Sequence, residues 1–214
     1  MSRPLVLAVL ACTLSFACAE EAADKTEVAL FDGKSLAGWK VSEEGADCFK
    51  AEDGMLRVIG GRAHLFYVGD AAQSAEFRNF EFHAQVRTHT GANSGIYFHT
   101  RYQKEGWPAA GYEAQVNATQ SDARKTGGLY GVADVMNTPP APDDRWFEYR
   151  IRVEGKRIRV WVDGKLTTDF TEPEGWQPPE GMPGRRLGTG TFALQAHDPT
   201  CRVEYKDLRV QRLP

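Results

Sequence analysis

The chain has 214 residues, 42% hydrophobic and 26% charged, which fits one globular domain and excludes a low-complexity or fibrous protein. A formal charge of -3, with no long acidic or basic run, argues against nucleic acid or another polyanion as partner.

At the N-terminus Met1-Ser2-Arg3-Pro4 supplies a positive start. Residues 5–17 are apolar but too few to span a bilayer, and Ala17-Cys18-Ala19 fits a small-residue cleavage site. The reading is a secretory signal cut after Ala19, an extension over 20–27 and one domain over 28–214, with a secreted or periplasmic location. The competing reading, a lipoprotein acylated at Cys18, is disfavoured by Ser15 and Phe16 just before it. Cleavage removes Cys12 and Cys18. Cys48 and Cys201 remain, and in an exported protein they can form one disulfide or stay as two buried thiols.

From Phe31 onward short alternating runs are punctuated by Gly, Pro, Asn and Asp, the pattern of an all-β sandwich or barrel. Phe49 to Ile59 reads as a hairpin around Asp53-Gly54. Between Phe77 and Thr88, Phe80, Phe82, Ala84 and Val86 alternate with Glu81, His83, Gln85 and Arg87, so one face is core and the other polar. Trp146 to Val162 reads as two strands around Glu154-Gly155-Lys156, and Asp163-Gly164 turns the chain into a further strand to Phe170. Thr191 to His197 points Phe192, Leu194 and Ala196 inward and Gln195 and His197 outward; Val203 to Val210 closes the fold. Residues 119–128, 134–145 and 171–190 do not alternate and read as long loops, which in a compact β domain tend to form functional rims.

The stretch from Asn93 to Asn117 carries the functional argument. It holds two alternating runs, and if their apolar sides face the core, His99, Arg101, Glu113 and Gln115 share the outer surface of one sheet. Glu113 is the only carboxylate in its row, beside Gln115 and Asn117, and such a group can act as a general base, a metal ligand or an acceptor for sugar hydroxyls. His197 and Gln195 project from a late strand, and His99 from the strand before Glu113. Together His99, Glu113 and His197 could hold a divalent metal ion, although their spacing alone cannot show this. Tyr97, Tyr102, Trp107 and Tyr130 offer flat rings suited to sugar faces, and Asn93, Gln115 and Gln195 offer amides for hydroxyls. For any one ring, packing in the core is the plainer role. The Glu-x-Asp-x-x-Glu run of sandwich-fold glucanases is absent: Glu113-Ala-Gln-Val-Asn117 has amides where partner acids would stand. Phosphate loops, nucleophile elbows and Cys-x-x-Cys pairs are also missing.

Leu30-Phe-Asp-Gly-Lys-Ser-Leu-Ala-Gly-Trp39, Asn93-Ser-Gly95, Gly111-Tyr-Glu-Ala-Gln115, Thr126-Gly-Gly-Leu-Tyr130, the strand pair from Trp146 to Gly164 and Ala193-Leu-Gln-Ala-His197 together resemble the 3-keto-disaccharide hydrolase domain family, over about Val28 to Leu213. The resemblance implies a two-sheet antiparallel β-sandwich of the concanavalin A-like lectin/glucanase type. It also implies 3-keto-glucoside lyase and 3-keto-2-hydroxyglucal hydratase chemistry. A ketone at C3 acidifies the C2 proton, so one base and one oxyanion stabiliser suffice for elimination. On this reading Glu113 or His197 takes the proton, and Arg101, His99 or a bound metal stabilises the enolate. Many members have Arg where this chain has His99, which leaves the electrophile open. Two rival readings stand beside it: a lectin-like module that binds glycans without turnover, and an ordinary glycoside hydrolase using a second acid from Asp122, Asp134 or Asp198.

Overall fold

The computed structural model describes residues 27–70 and 74–214. The signal, its cleavage site, Cys18 and residues 20–26 of the extension lie outside the described residues.

The strands are β1 (Glu27–Ala29), β2 (Trp39–Val41), β3 (Phe49–Glu52), β4 (Met55–Ile59), β5 (Ala63–Tyr67), β6 (Phe80–Thr88), β7 (Asn93–Thr100) and β8 (Tyr112–Asn117). They continue as β9 (Arg124–Leu129), β10 (Ala133–Met136), β11 (Phe147–Glu154), β12 (Arg157–Val162), β13 (Lys165–Thr171), β14 (Thr191–Ala196) and β15 (Arg202–Arg212). One turn of 3-10 helix, Ala46–Cys48, precedes β3. Among the described residues no helix is long and apolar enough to cross a membrane.

The strands form two sheets in which every pairing is antiparallel. The supporting sheet runs β13-β12-β11-β6-β15-β4-β3, with β1 beside β15; the site sheet runs β10-β9-β8-β7-β14-β5-β2. The expected hairpins are present, and Asp53-Gly54 and Asp163-Gly164 both adopt the positive φ that a tight two-residue turn requires.

Alternation explains the core. Phe80, Phe82, Ala84 and Val86 of the supporting sheet and Ile96, Phe98, Tyr112, Ala114, Val116, Phe192 and Leu194 of the site sheet are all buried in one cluster. Phe192 is central, with ring centroids 5.0 Å from Phe77, 4.9 Å from Phe80 and 5.0 Å from Phe82. Burying each such side chain contributes roughly 1.5–3 kcal/mol. Cys48 and Cys201 are buried free thiols.

The site sheet departs from the expected half-buried pattern. Strands β5, β7, β8 and β14 are buried on both faces, because residues 101–111 and 171–190 fold over the outer face. The polar row expected at the surface is therefore the floor of a cleft. Two of the three expected loops also overlap strands, β9 (Arg124–Leu129) with 119–128 and β10 (Ala133–Met136) with the start of 134–145. A Cβ on Gly128 would stand 2.6 Å from the Val135 nitrogen, so β9 needs glycine there to receive β10, and glycine erases the alternation. Strand β5, Ala-His-Leu-Phe-Tyr, escapes the same reading because all five residues are buried.

Candidate functional site

Three adjacent strands bring the site together. Tyr97 on β7 lies opposite Glu113 on β8 and Ala193 on β14, and Gln195 on β14 lies opposite His64 on β5. The supporting sheet fixes these strands from behind. Tyr149 donates its hydroxyl to the Gln115 carbonyl at 3.0 Å, while Ser94 donates to the Gln195 carbonyl at 2.6 Å and sits 2.9 Å from the Tyr205 hydroxyl. The backbone beneath the polar side chains is thus held by buried, satisfied hydrogen bonds.

Glu113 is only 4% exposed. Tyr97 donates to its Oε2 at 2.7 Å, Arg185 Nη2 to the same oxygen at 3.0 Å, and Gln195 Nε2 to Oε1 at 3.1 Å. Burial pushes the Glu113 carboxyl above the usual carboxylate range, against the opposing pull of Arg185, Tyr97 and Gln195. The result is a carboxylate in fixed geometry that is a stronger base than a surface glutamate. Gly95 makes the position available: a Cβ there would lie 2.4 Å from Glu113 Oε1 and 2.8 Å from its Cγ. Any side chain at Gly95 would displace the carboxylate.

The cleft above Glu113 has a volume of about 530 Å³. Glu113, His197, Asn93, Tyr97, Trp107, Gln115, Tyr130 and Gln195 all line it, together with Pro108, Ala109 and residues 181–185. Gln115 donates through Nε2 to Asn93 Oδ1 at 3.0 Å, while the Oε1 atoms of Gln115 and Gln195 and Nε of Arg185 are buried without a protein partner. Buried polar atoms left in this state are expected where a polar ligand completes them. His197 pairs Nδ1 with Asp198 Oδ2 at 2.9 Å, leaving Nε2 as its other nitrogen. Burial would raise the Asp198 carboxyl, but hydrogen bonds from Thr200 and His197 outweigh it and hold it below the usual range.

Two expected residues lie elsewhere. His99 has φ 57°, which turns its ring off the outer face and edge-on to Phe80 and Phe98, each at 5.6 Å. His99 stands where β7 ends and the chain packs closely, since a Cβ on Gly111 would lie 2.0 Å from the Phe98 carbonyl oxygen. His99 Nδ1 accepts from the Gly188 amide at 3.2 Å, and Nε2 stands 2.8 Å from the Arg78 carbonyl, so both nitrogens are engaged in structure. Arg101 follows the end of β7, where the chain leaves the sheet, and it is exposed and outside the cleft lining. The expected set of His99, Glu113 and His197 therefore does not form a metal site. Among the described residues no group of three His, Cys, Asp or Glu is placed to hold a metal ion.

The cation at the site is Arg185, which the sequence reading did not single out. It comes from the Pro/Gly-rich segment 171–190, is 7% exposed, and also reaches the Gly111 carbonyl at 3.4 Å. Gly184 seats it: the Gly111 amide donates to the Gly184 carbonyl at 2.9 Å, and a Cβ on Gly184 would lie 1.7 Å from the Ala109 oxygen. Trp176 Nε1 donates to the Arg185 carbonyl at 2.7 Å, and Glu172 accepts from Tyr112 and from the Leu187 amide. The available signal is one of two adjacent arginines after Pro183-Gly184, and nothing local separates Arg185 from Arg186.

Of the acids weighed as a second catalytic carboxylate, none lines the cleft. Asp122 accepts from Tyr130 at 3.2 Å and from the Arg124 amide, Asp134 pairs with Arg124, and Asp198 holds His197.

Residues 26–211 match the sequence model of the 3-keto-alpha-glucoside-1,2-lyase-like domain. The chain belongs to that family. Membership makes this lyase-like domain a carbohydrate-active protein, in accord with the resemblance read from its motifs. No curated protein matches the sequence. Among solved structures it is similar to a candidate glycosyl hydrolase of Parabacteroides distasonis ATCC 8503, with TM-score 0.74, 22% identity, and coverage of 88% of this chain and 94% of that one. It is also similar to carbohydrate binding module CBM66 from Bacillus subtilis, with TM-score 0.54, 15% identity and coverage of 81% and 95%. A Bacillus subtilis protein with a galectin-like fold gives TM-score 0.57, 12% identity and coverage of 81% and 89%. At these identities the likeness establishes the fold, a lectin-type antiparallel sandwich.

Proposed function

We propose that the domain cleaves 3-keto-glycosides by elimination across C1 and C2, followed by addition of water. The observation that carries this reading is a cleft whose only lining carboxylate, among the described residues, is the buried Glu113. Glycoside hydrolysis through an oxocarbenium-like step ordinarily takes two carboxylates flanking the bond, whereas elimination beside a ketone takes one base and one oxyanion stabiliser.

Glu113 removes the C2 proton. The electron pair moves toward the C3 oxygen, where the Arg185 guanidinium stabilises the enolate, and its collapse expels the oxygen at C1. His197, oriented through Nδ1 by Asp198, gives its Nε2 proton to the leaving oxygen. Water then adds at C1 of the unsaturated ketone, giving its proton to His197, and the Glu113 carboxyl returns a proton to C2, so both groups are restored and the net change is hydrolysis. Gln115 and Gln195 accept the sugar hydroxyls, with Asn93, Tyr97 and Tyr130 around them. The family membership supports this assignment of substrate class. The N-terminal signal pattern of residues 1–19 supports placing the reaction outside the cytoplasm.

The test is aglycone release from a 3-keto-glucoside beside its unoxidised parent glucoside. Release from the ketone at a rate at least 10²-fold above the parent is expected, because only the ketone makes the C2 proton acidic. Equal release from both would support ordinary hydrolysis, and saturable binding with release from neither would support a lectin.

A further inference from the structure

Trp107 has a position that the reaction scheme does not use. It is 45% exposed in a protein whose other site aromatics are buried or half-buried, yet its ring is held on several sides. The His64 ring meets it edge-on at 5.6 Å and 80°, the His197 ring lies beside it at 5.2 Å and 34°, and the Arg62 guanidinium stands 5.9 Å from its centroid. Its backbone is equally fixed. Gln103 donates to the carbonyls of Glu105 and Trp107 at 2.7 and 2.8 Å and accepts from the Ala109 amide at 2.9 Å, while the Gly106 amide donates to Glu44 at 2.7 Å. His64 is fully buried with neither ring nitrogen hydrogen-bonded, and burial lowers its pKa to about 4. It is a neutral pedestal. An exposed indole fixed this way is a preorganised flat surface, which limits the ordering cost when a ring stacks on it.

The sheet order gives this surface a direction. Glu113 projects from β8 and its carboxylate extends over Gly95 of β7 to Gln195 of β14. His197 follows β14, and Trp107 stands beyond it above β5. Neighbouring strands are about 4.8 Å apart, so Trp107 lies about two strand spacings from the base, on the far side of the proton donor. The proton lost and the bond broken are on adjacent carbons. The leaving oxygen therefore faces His197, and whatever it carries extends over Trp107, while the ketone-bearing ring lies toward Gln115 and Tyr130.

We infer that Trp107, on its His64 pedestal, forms the leaving-group subsite and selects 3-keto-glycosides whose leaving group has a flat apolar face, an aryl ring or a second pyranose, over those with a small alkyl group. The inference rests on the elimination reading for the role of His197.

The test compares the 4-nitrophenyl and methyl 3-keto-glucosides of one anomeric configuration as substrates of the wild type, Trp107→Ala and Trp107→Phe. Trp107→Ala should lower kcat/KM for the aryl substrate roughly tenfold or more, within the range that apolar contacts give, and less than twofold for the methyl substrate. Trp107→Phe should recover most of the loss. Equal losses on both substrates, or no loss on the aryl one, would overturn the subsite. If the wild type releases neither aglycone, the elimination reading fails on its own. Calorimetric titration with phenyl and methyl glucoside then decides the subsite: a loss in Trp107→Ala confined to the phenyl ligand sustains it, and parallel affinities overturn it.

Discussion

Glu113→Gln is expected to reduce aglycone release from 3-keto-glucosides by roughly 10²–10⁴-fold, the range of a positioned general base. The substitution keeps the shape and one acceptor oxygen but replaces the basic carboxylate oxygen that takes the C2 proton with a donor NH2. Its neighbours give the control its force. Tyr97, Arg185 and Gln195 all donate to the carboxylate, and a glutamine in its place still accepts through one oxygen, so the side chain has reason to stay put. Far-UV circular dichroism should be unchanged, and binding of a non-reacting glucoside should persist while kcat falls. Unchanged turnover would remove Glu113 from the mechanism.

Arg185→Met is expected to act twice. It removes the charge assigned to the enolate, and loss of one such donor typically costs 10²–10³-fold in kcat. It also removes the cation that opposes the burial of Glu113. The sign follows from the base having to be ionised: burial has already raised the Glu113 carboxyl, and loss of Arg185 raises it further. The acidic limb of the kcat/KM–pH profile should therefore move to higher pH. Arg185→Lys keeps the charge and should restore the limb better than the rate, since an ammonium lacks the planar fork. A rate loss with an unmoved acidic limb would show that Arg185 does not set the ionisation of Glu113. An unchanged rate would deny it the oxyanion.

Much of this site was legible in the sequence because a strand's period of two is rigid. Once Ile96, Phe98, Ala114, Val116 and Leu194 are taken as core, Tyr97, Glu113, Gln115 and Gln195 must share the opposite face. The same rule misplaced His99, since alternation assumes extended backbone and His99 has φ 57°. It placed the row at the surface because hydropathy does not reveal that residues 101–111 and 171–190 fold back over it. Arg185 was beyond reach for a related reason: its contact with Glu113 spans 72 residues and depends on Gly184 meeting Ala109, a close approach that leaves no periodic trace. Strand β9 reads as a loop because Gly127 and Gly128, which let it receive β10, also remove the alternation by which strands are recognised, and β10 is only four residues long with none of them buried.

Elimination differs from direct hydrolysis in the fate of one hydrogen. The most direct measurement is therefore to cleave a 3-keto-glucoside in D₂O and follow C2 of the released 3-keto sugar by NMR at early times, against the exchange of that sugar alone. The account predicts deuterium at C2 of the released sugar, together with a primary isotope slowing of release from the C2-deuterated substrate. Release of aglycone with the C2 proton retained and no such slowing would contradict it.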